Sequence, residues 1–182
     1  GSAQGRFPPD SFKNLKVLPK TIDQRTLLNT MRGFAQALGV RCVYCHVGRE
    51  EQPLDSVNFA SDDKRPKRVA RVMMHMVMHI NEEHLAEVTD RPKPVVEVRC
   101  ATCHRGVTIP AQLSDLLRQT MLGKGEGAAV VQYRELRQQS LNAGAYDFRA
   151  ATLLDLGRES LAARKPDDAL AWLQLNVEFY PR

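Results

Sequence analysis

The chain has 182 residues, 43% of them apolar, enough for one substantial packed domain or two small ones. Its formal charge is +5, but no Arg-rich tail or aromatic platform accompanies that charge, which argues against a nucleic-acid binder. No apolar run reaches the ~18 residues of a transmembrane helix, and aromatics, at 6%, are scarce for a core filled by side chains alone.

Residues 1–20 hold Gly1, Gly5, Pro8, Pro9 and Pro19 and read as an extended N-terminal segment. Such a segment is ordered only where its own domain or another subunit ties it down. No signal peptide is visible, and a start at Gly1 fits a mature, processed protein or a tag scar. Thr21 with Gln24 three positions on fits a capping box that opens a first helix. Leu27, Met31, Phe34, Ala35 and Leu38 then recur at helical spacing, and Gly39 is placed to stop the helix.

The chain next enters Cys42-Val43-Tyr44-Cys45-His46. A second helix is expected from about Pro66 to Leu85. Pro66 suits its first turn, and Asp62 and Asp63 stand before it, where negative charge is favourable. Val69, Met73, Met76 and Ile80 form one face, in a stretch that also carries Met74, His75, Met78, His79 and His84. Then follows Cys100-Ala101-Thr102-Cys103-His104.

The two Cys-x-x-Cys-His motifs use all four cysteines, and each pair is followed at once by one of only five histidines. This is the attachment signature of c-type haem. Two thiols three positions apart on one turn reach the two vinyl groups along one side of a porphyrin. The next residue places its imidazole under the iron as proximal ligand. Zinc is the competing reading, but 54 residues separate the pairs. Zinc ribbons usually have about 15–20 there. Zinc also has no need of a His after each pair, and a redox dithiol needs only one pair. Cys42, Cys45, Cys100 and Cys103 are therefore the candidate thioether residues for two haems, with His46 and His104 as proximal ligands. Two macrocycles would also supply the bulk that the aromatics lack, and attachment of this kind takes place outside the cytoplasm.

An electron-transfer haem usually has both axial positions filled by protein. Met31 precedes the first motif on the stripe expected to face a haem, and no His stands before Cys42. For the second haem, periodicity favours Met73 or Met76 without choosing. The remaining Met and His residues of that helix are expected to be core filling or solvated.

Residues 111–182 contain no Cys and no His. Helices are expected at about 112–122, 126–141, 147–164 and 166–180, punctuated by Gly123, Gly125, Gly127 and Gly144. Leu156-Gly157, Ala169 and Pro181 fall at the spacing of a tetratricopeptide repeat, with a plain helical hairpin as the alternative. One or two repeats bury no continuous core alone, so this region is expected to pack on something and to leave a helix face for docking.

Beyond the motifs, residues 11 to 110 resemble the cytochrome subunit of photosynthetic reaction centres. The segments that carry the likeness are Lys13-Asn14-Leu15-Lys16-Val17-Leu18, Thr30-Met31, the first haem motif, Phe59-Ala60-Ser61, Val69-Ala70-Arg71-Val72-Met73 and Ile80-Asn81, then Cys100 to Gly106. That family carries four haems in two similar halves, and this chain matches one half. The resemblance implies Met31 and Met73 as distal ligands, with Met76 the runner-up to Met73. The loop from Glu83 to Val98 is longer than the family pattern.

The expected fold is mainly α: an extended segment over 1–20, a dihaem c-type cytochrome domain of helix–turn–motif units over 21–110, and a helical-hairpin, tetratricopeptide-like domain over 111–182. The expected function is electron transfer by two His/Met haems, periplasmic or extracellular, with no catalytic residue. Redox proteins are the expected partners, with a membrane-bound redox complex, a homo-oligomer or a conducting filament as forms of assembly. A dihaem peroxidase is the enzymatic alternative, and it would need one open iron.

Overall fold

The structure is a computed structural model that describes residues 7–9 and 11–181. Gly1 and Gly5 of the N-terminal segment lie outside them. Among the described residues the chain is helical, with one isolated antiparallel bridge between Val47 and Asn58. None of these helices is long and apolar enough to cross a membrane. The chain divides into two compact units, at Thr108 and Ile109.

In the first unit, helix α1 spans Gln24–Leu38. Its cap is Asp23, not Thr21: the Asp23 carboxylate accepts from Thr26 N at 2.9 Å and from Thr26 Oγ1 at 2.6 Å. An aspartate nearer the first turn outcompetes the threonine because a charged acceptor bonds the free amides more strongly. Gly39 ends α1 in the left-handed conformation (φ 66°), donating to Ala35 O and Gln36 O. The chain turns there into α2, Cys42–Cys45. Helix α3 spans Arg65–His79 with Pro66 in its first turn, and runs into a π-helical turn at Ile80–His84. Helix α4 is Cys100–His104. Helix α1 packs against α4, and α2 packs against α3.

Asp62 does more than favour a helix start. Its carboxylate takes Lys16 Nζ at 2.6 Å, Arg71 Nη2 at 2.9 Å and Lys67 Nζ at 3.4 Å, while Asn14 Nδ2 donates to it at 2.8 Å. Arg71, then Lys16, hold its carboxyl far below the usual carboxylate range. The group's folded pKa is depressed, so its contribution is complete above about pH 4 and is lost as acid protonates it. This cluster ties residues 14–16 of the extended segment to α3. Gln24 Nε2 donates to Pro9 O at 3.2 Å and ties a second point.

The second unit holds α5 (Leu113–Lys124), α6 (Glu126–Ser140), α7 (Ala150–Ala162) and α8 (Pro166–Phe179). Leu113, Leu117 and Met121 repeat every four residues and bury one face of α5. They meet Ala129, Tyr133, Phe148, Leu153, Leu156, Trp172 and Leu175 in one apolar core. Gly157 lets α7 and α8 approach closely, since a Cβ there would lie 3.2 Å from Leu173. Arg118 with Glu159 and Arg134 with Glu178 add two-pronged ion pairs at the rim.

Leu153 is fully buried in that core. Leu153→Ala is expected to destabilise the second unit by about 2–5 kcal/mol, because removed methyls leave a cavity that neighbours only partly fill. Urea unfolding followed by Trp172 fluorescence measures it. Gly39→Ala tests the first unit. It puts a side chain at a left-handed φ and a Cβ 2.2 Å from Gly106 O. A loss of more than ~1–2 kcal/mol is expected from the backbone strain alone. Gly33→Ala is the control, with nothing within 4 Å of its Cβ, and is expected to gain ~0.5–1 kcal/mol as a helix-interior alanine.

Candidate haem-binding site

Cys42 and Cys45 sit at the two ends of one helical turn, and Cys100 and Cys103 do the same in α4. Residues three apart share one helix face, so each thiol pair points one way. All four thiols are free; Cys42 and Cys103 are exposed, Cys45 and Cys100 half-buried. Burial pushes the Cys45 and Cys100 thiols up, while Lys64 draws Cys45 back. Neither is thereby an activated thiolate of the kind a redox nucleophile needs. Among the described residues no three His, Cys, Asp or Glu side chains converge on a metal position, so a shared four-cysteine zinc site does not fit.

Each histidine is presented differently. His104 Nδ1 lies 2.9 Å from Val107 O. A bond from Nδ1–H to a carbonyl fixes the tautomer and leaves Nε2 free as an acceptor for a metal. His46 Nδ1 is buried without a hydrogen bond, and the ring meets Phe59 edge-on at 4.9 Å. Burial, then the charge of Lys67, lowers its pKa to about 4, against an opposing pull from the Phe59 backbone. A neutral imidazole is the form that binds a metal.

The loops around each motif are pinned. Asn58 N donates to Val47 O at 2.8 Å, closing the turn after His46. Phe59 also stacks on Phe7, with ring centres 5.4 Å apart. Lys64 Nζ donates to Val43 O, inside the first motif, and Lys67 Nζ donates to Phe59 O at 2.8 Å and Ser61 O at 2.7 Å. At the second motif, Asn81 exchanges bonds of 2.8 Å with both backbone groups of Val98, and Arg99 N donates to Thr102 Oγ1 at 2.9 Å. Gly106 N donates to Ala37 O at 2.8 Å, which joins the end of the motif to α1.

Met31 is half-buried on α1, and Met73 is half-buried on α3; Met76 is 44% exposed. His79 pairs with Glu83 at 2.7 Å on the exposed side of α3. The sequence reading missed Lys64, Lys67, Asn81 and Val107. Lys64 at the N-cap and Lys67 in the first turn of α3 leave a signal as cations set against the helix dipole, and Asn81 stands in the Ile80-Asn81 pair of the family likeness, though its role was not read.

The residues fit haem. The donor set is two thiols and an imidazole per motif, one imidazole held with Nε2 free and the other buried and neutral. The apolar side chains of α3, among them Val69, Val72, Met76 and Met78, face outward in the unit that carries the motifs.

Comparison with known proteins agrees. The family described as the photosynthetic reaction centre cytochrome C subunit matches residues 3–155. The photosynthetic reaction center cytochrome c subunit of Roseobacter denitrificans is 33% identical over 107 residues, 57% of this chain and 26% of that protein. Cytochrome c-554 of Chloroflexus aurantiacus is 38% identical over 68 residues, 37% of this chain and 14% of that protein. The chain thus spans about a quarter or less of the length of these relatives. No solved structure matches. The family match takes in both haem motifs and runs on through α5 and α6, and the chain belongs to the photosynthetic reaction centre cytochrome c subunit family.

Proposed function

We propose that this chain is an electron carrier outside the cytoplasm that binds two c-type haems. One would be held by Cys42, Cys45 and His46 together with Met31, the other by Cys100, Cys103 and His104 together with Met73. The observation that carries the reading is the repeated one-turn presentation of two free thiols and an imidazole. Haem at each motif would supply a one-electron Fe(III)/Fe(II) couple.

The chain's own residues hold and orient. His46 and His104 would each offer a ring nitrogen to the iron, and Val107 O holds the His104 ring with Nε2 free for that role. Met31 and Met73 would supply the remaining protein ligand to each haem and so keep water and substrate away, which would favour transfer over peroxide chemistry. The choice of Met73 over Met76 rests on the family's Val-Ala-Arg-x-Met pattern, matched by Val69 to Met73.

A redox partner, in a membrane-bound complex or an assembly of copies, completes the reading; the name of the Roseobacter relative supports the former. The tetratricopeptide-like reading of the second unit is supported by the close approach at Gly157. In this reading that unit carries no redox group.

The intact mass of the exported protein is expected to exceed its polypeptide by two haems. The alkaline pyridine spectrum should count two per chain. The Cys100→Ala, Cys103→Ala double variant should retain one. A mass without added haem ends the proposal.

Exchanging methionine for histidine at an axial position lowers a haem's potential. Met31→His and Met73→His should each lower one of two potentiometric waves and remove one sulfur-to-iron charge-transfer band, while Met76→His leaves both waves in place. The reverse pattern for Met73 and Met76 assigns the second ligand to Met76.

A further inference from the structure

We propose that Lys64 and Lys67 raise the reduction potential of the haem held by Cys42, Cys45 and His46, so that an electron shared between the two haems rests preferentially there. The inference rests on the two-haem reading above and deepens it.

Both ammonium groups are fixed by backbone carbonyls on either side of His46. Lys64 Nζ binds Val43 O, within the motif turn. Lys67 Nζ binds Phe59 O at 2.8 Å and Ser61 O at 2.7 Å, and the Phe59 ring abuts the His46 ring at 4.9 Å. The Lys67 side chain is only 11% exposed. A cation held in that way is screened much less than a surface lysine.

The surrounding charge does not cancel it. Lys16, Lys67 and Arg71 converge on the single carboxylate of Asp62, which leaves the cluster positive before Lys64 is counted. Burial pulls the Lys67 pKa down and Asp62 pushes it back, so the carboxylate favours the charged amine.

The helix that carries these lysines points the same way. The first turn of α3 has no acidic residue, and Lys64, Arg65, Lys67 and Arg68 crowd its N-terminus. Cations there oppose the helix dipole and work against stability. Local rules of this kind are broken where function requires it. The second motif differs in exposure: Arg99 is 79% exposed and loosely paired with Glu97 at 3.8 Å, and Arg105, whose Nε donates to Thr102 O at a long 3.3 Å, is exposed, so solvent screens both cations far more than Lys67.

Reduction adds one negative charge at the iron, and a fixed cation nearby stabilises it. The step between the sites moves one electron: the iron at His104 goes from Fe(II) to Fe(III), the iron at His46 from Fe(III) to Fe(II), and no bond or proton changes.

The test is potentiometric titration of the full holoprotein, with the wave of the first haem identified as the one absent from the Cys42→Ala, Cys45→Ala variant. Lys67→Gln keeps a donor for the two carbonyls and removes the charge. It is expected to lower that wave by the equivalent of a tenfold change in the equilibrium between the sites, about 59 mV for one electron. Lys67→Arg should restore it, and Lys64→Gln with Lys67→Gln should lower it further. The proposal is overturned if Lys67→Gln leaves the first wave in place, moves both waves equally, or is matched by Lys67→Arg. A wild-type protein with one wave and one haem overturns the two-haem reading instead; two waves that ignore Lys67→Gln overturn this inference alone.

Discussion

Two thiols and an imidazole must be delivered from one helical turn, and that requirement organises the first unit. A turn of four or five residues has no stability of its own, because helix nucleation is unfavourable and so short a helix gains too few bonds to offset it. Each motif is therefore held from outside. The first is clamped by Lys64 on Val43 O and by the bridge from Val47 to Asn58. The second is clamped by Asn81 on Val98 and by Gly106 on Ala37. The start of α3 supplies the clamp for α2, the helix before it, while α1 supplies one for α4, some sixty residues further along the chain. The glycine at 39 is what lets the second clamp close, since any side chain there would collide with Gly106 O.

The two units solve stability in different ways. The second builds a continuous core of ten residues with Trp172 and Tyr133 in it, against the expectation that one or two repeats bury none alone: aromatic side chains from α6, α8 and the 141–149 connection fill the space between the helices. In the first, the buried apolar residues among those described are Leu27, Ala37, Val43 and Val57, none of them fully covered, while Val69, Val72, Met76 and Met78 of α3 face outward. About a hundred residues that bury so few apolar side chains completely gain less to set against their conformational entropy than the second unit does. That deficit, together with the scarcity of aromatics, is the thermodynamic counterpart of the donor set: the same unit that presents thiols and imidazoles also presents apolar surface for a large flat group to cover.

Much of this was legible in the sequence because it is local. Motif spacing, the apolar stripe of α1, the stop at Gly39 and the four helices after residue 110 depend on residues within a few turns of one another. The N-cap was misplaced by two residues because Thr21 and Asp23 both suit a cap and only geometry chooses. The further role of Asp62 was out of reach because its partners Asn14 and Lys16 lie 46 to 48 residues away, where no periodicity reaches. Val107 acts through its backbone carbonyl, which leaves no trace in residue type, and the side-chain amide of Asn81 acts on the backbone of Val98, 17 residues away, where no periodicity reaches. The likeness to the family was seen as far as residue 110 through its motifs; the match to 155 continues into helices whose residues carry no chemistry of their own.

The net charge illustrates the same limit in a more consequential form. A formal +5 reads most simply as a basic surface for acidic partners. In the fold, several of those cations turn inward: Lys67 and Arg71 are largely covered, and Lys64 is tied to a carbonyl of the haem motif. Coulomb energy depends on distance and on the local dielectric, so a few inward cations beside the first motif would act on a redox group held there far more than the same charges spread over the exterior. Charge that a composition count assigns to partner recognition thus belongs, in part, to the first haem motif, and the cations at the start of α3 gain a reason for standing where helix electrostatics alone would not put them.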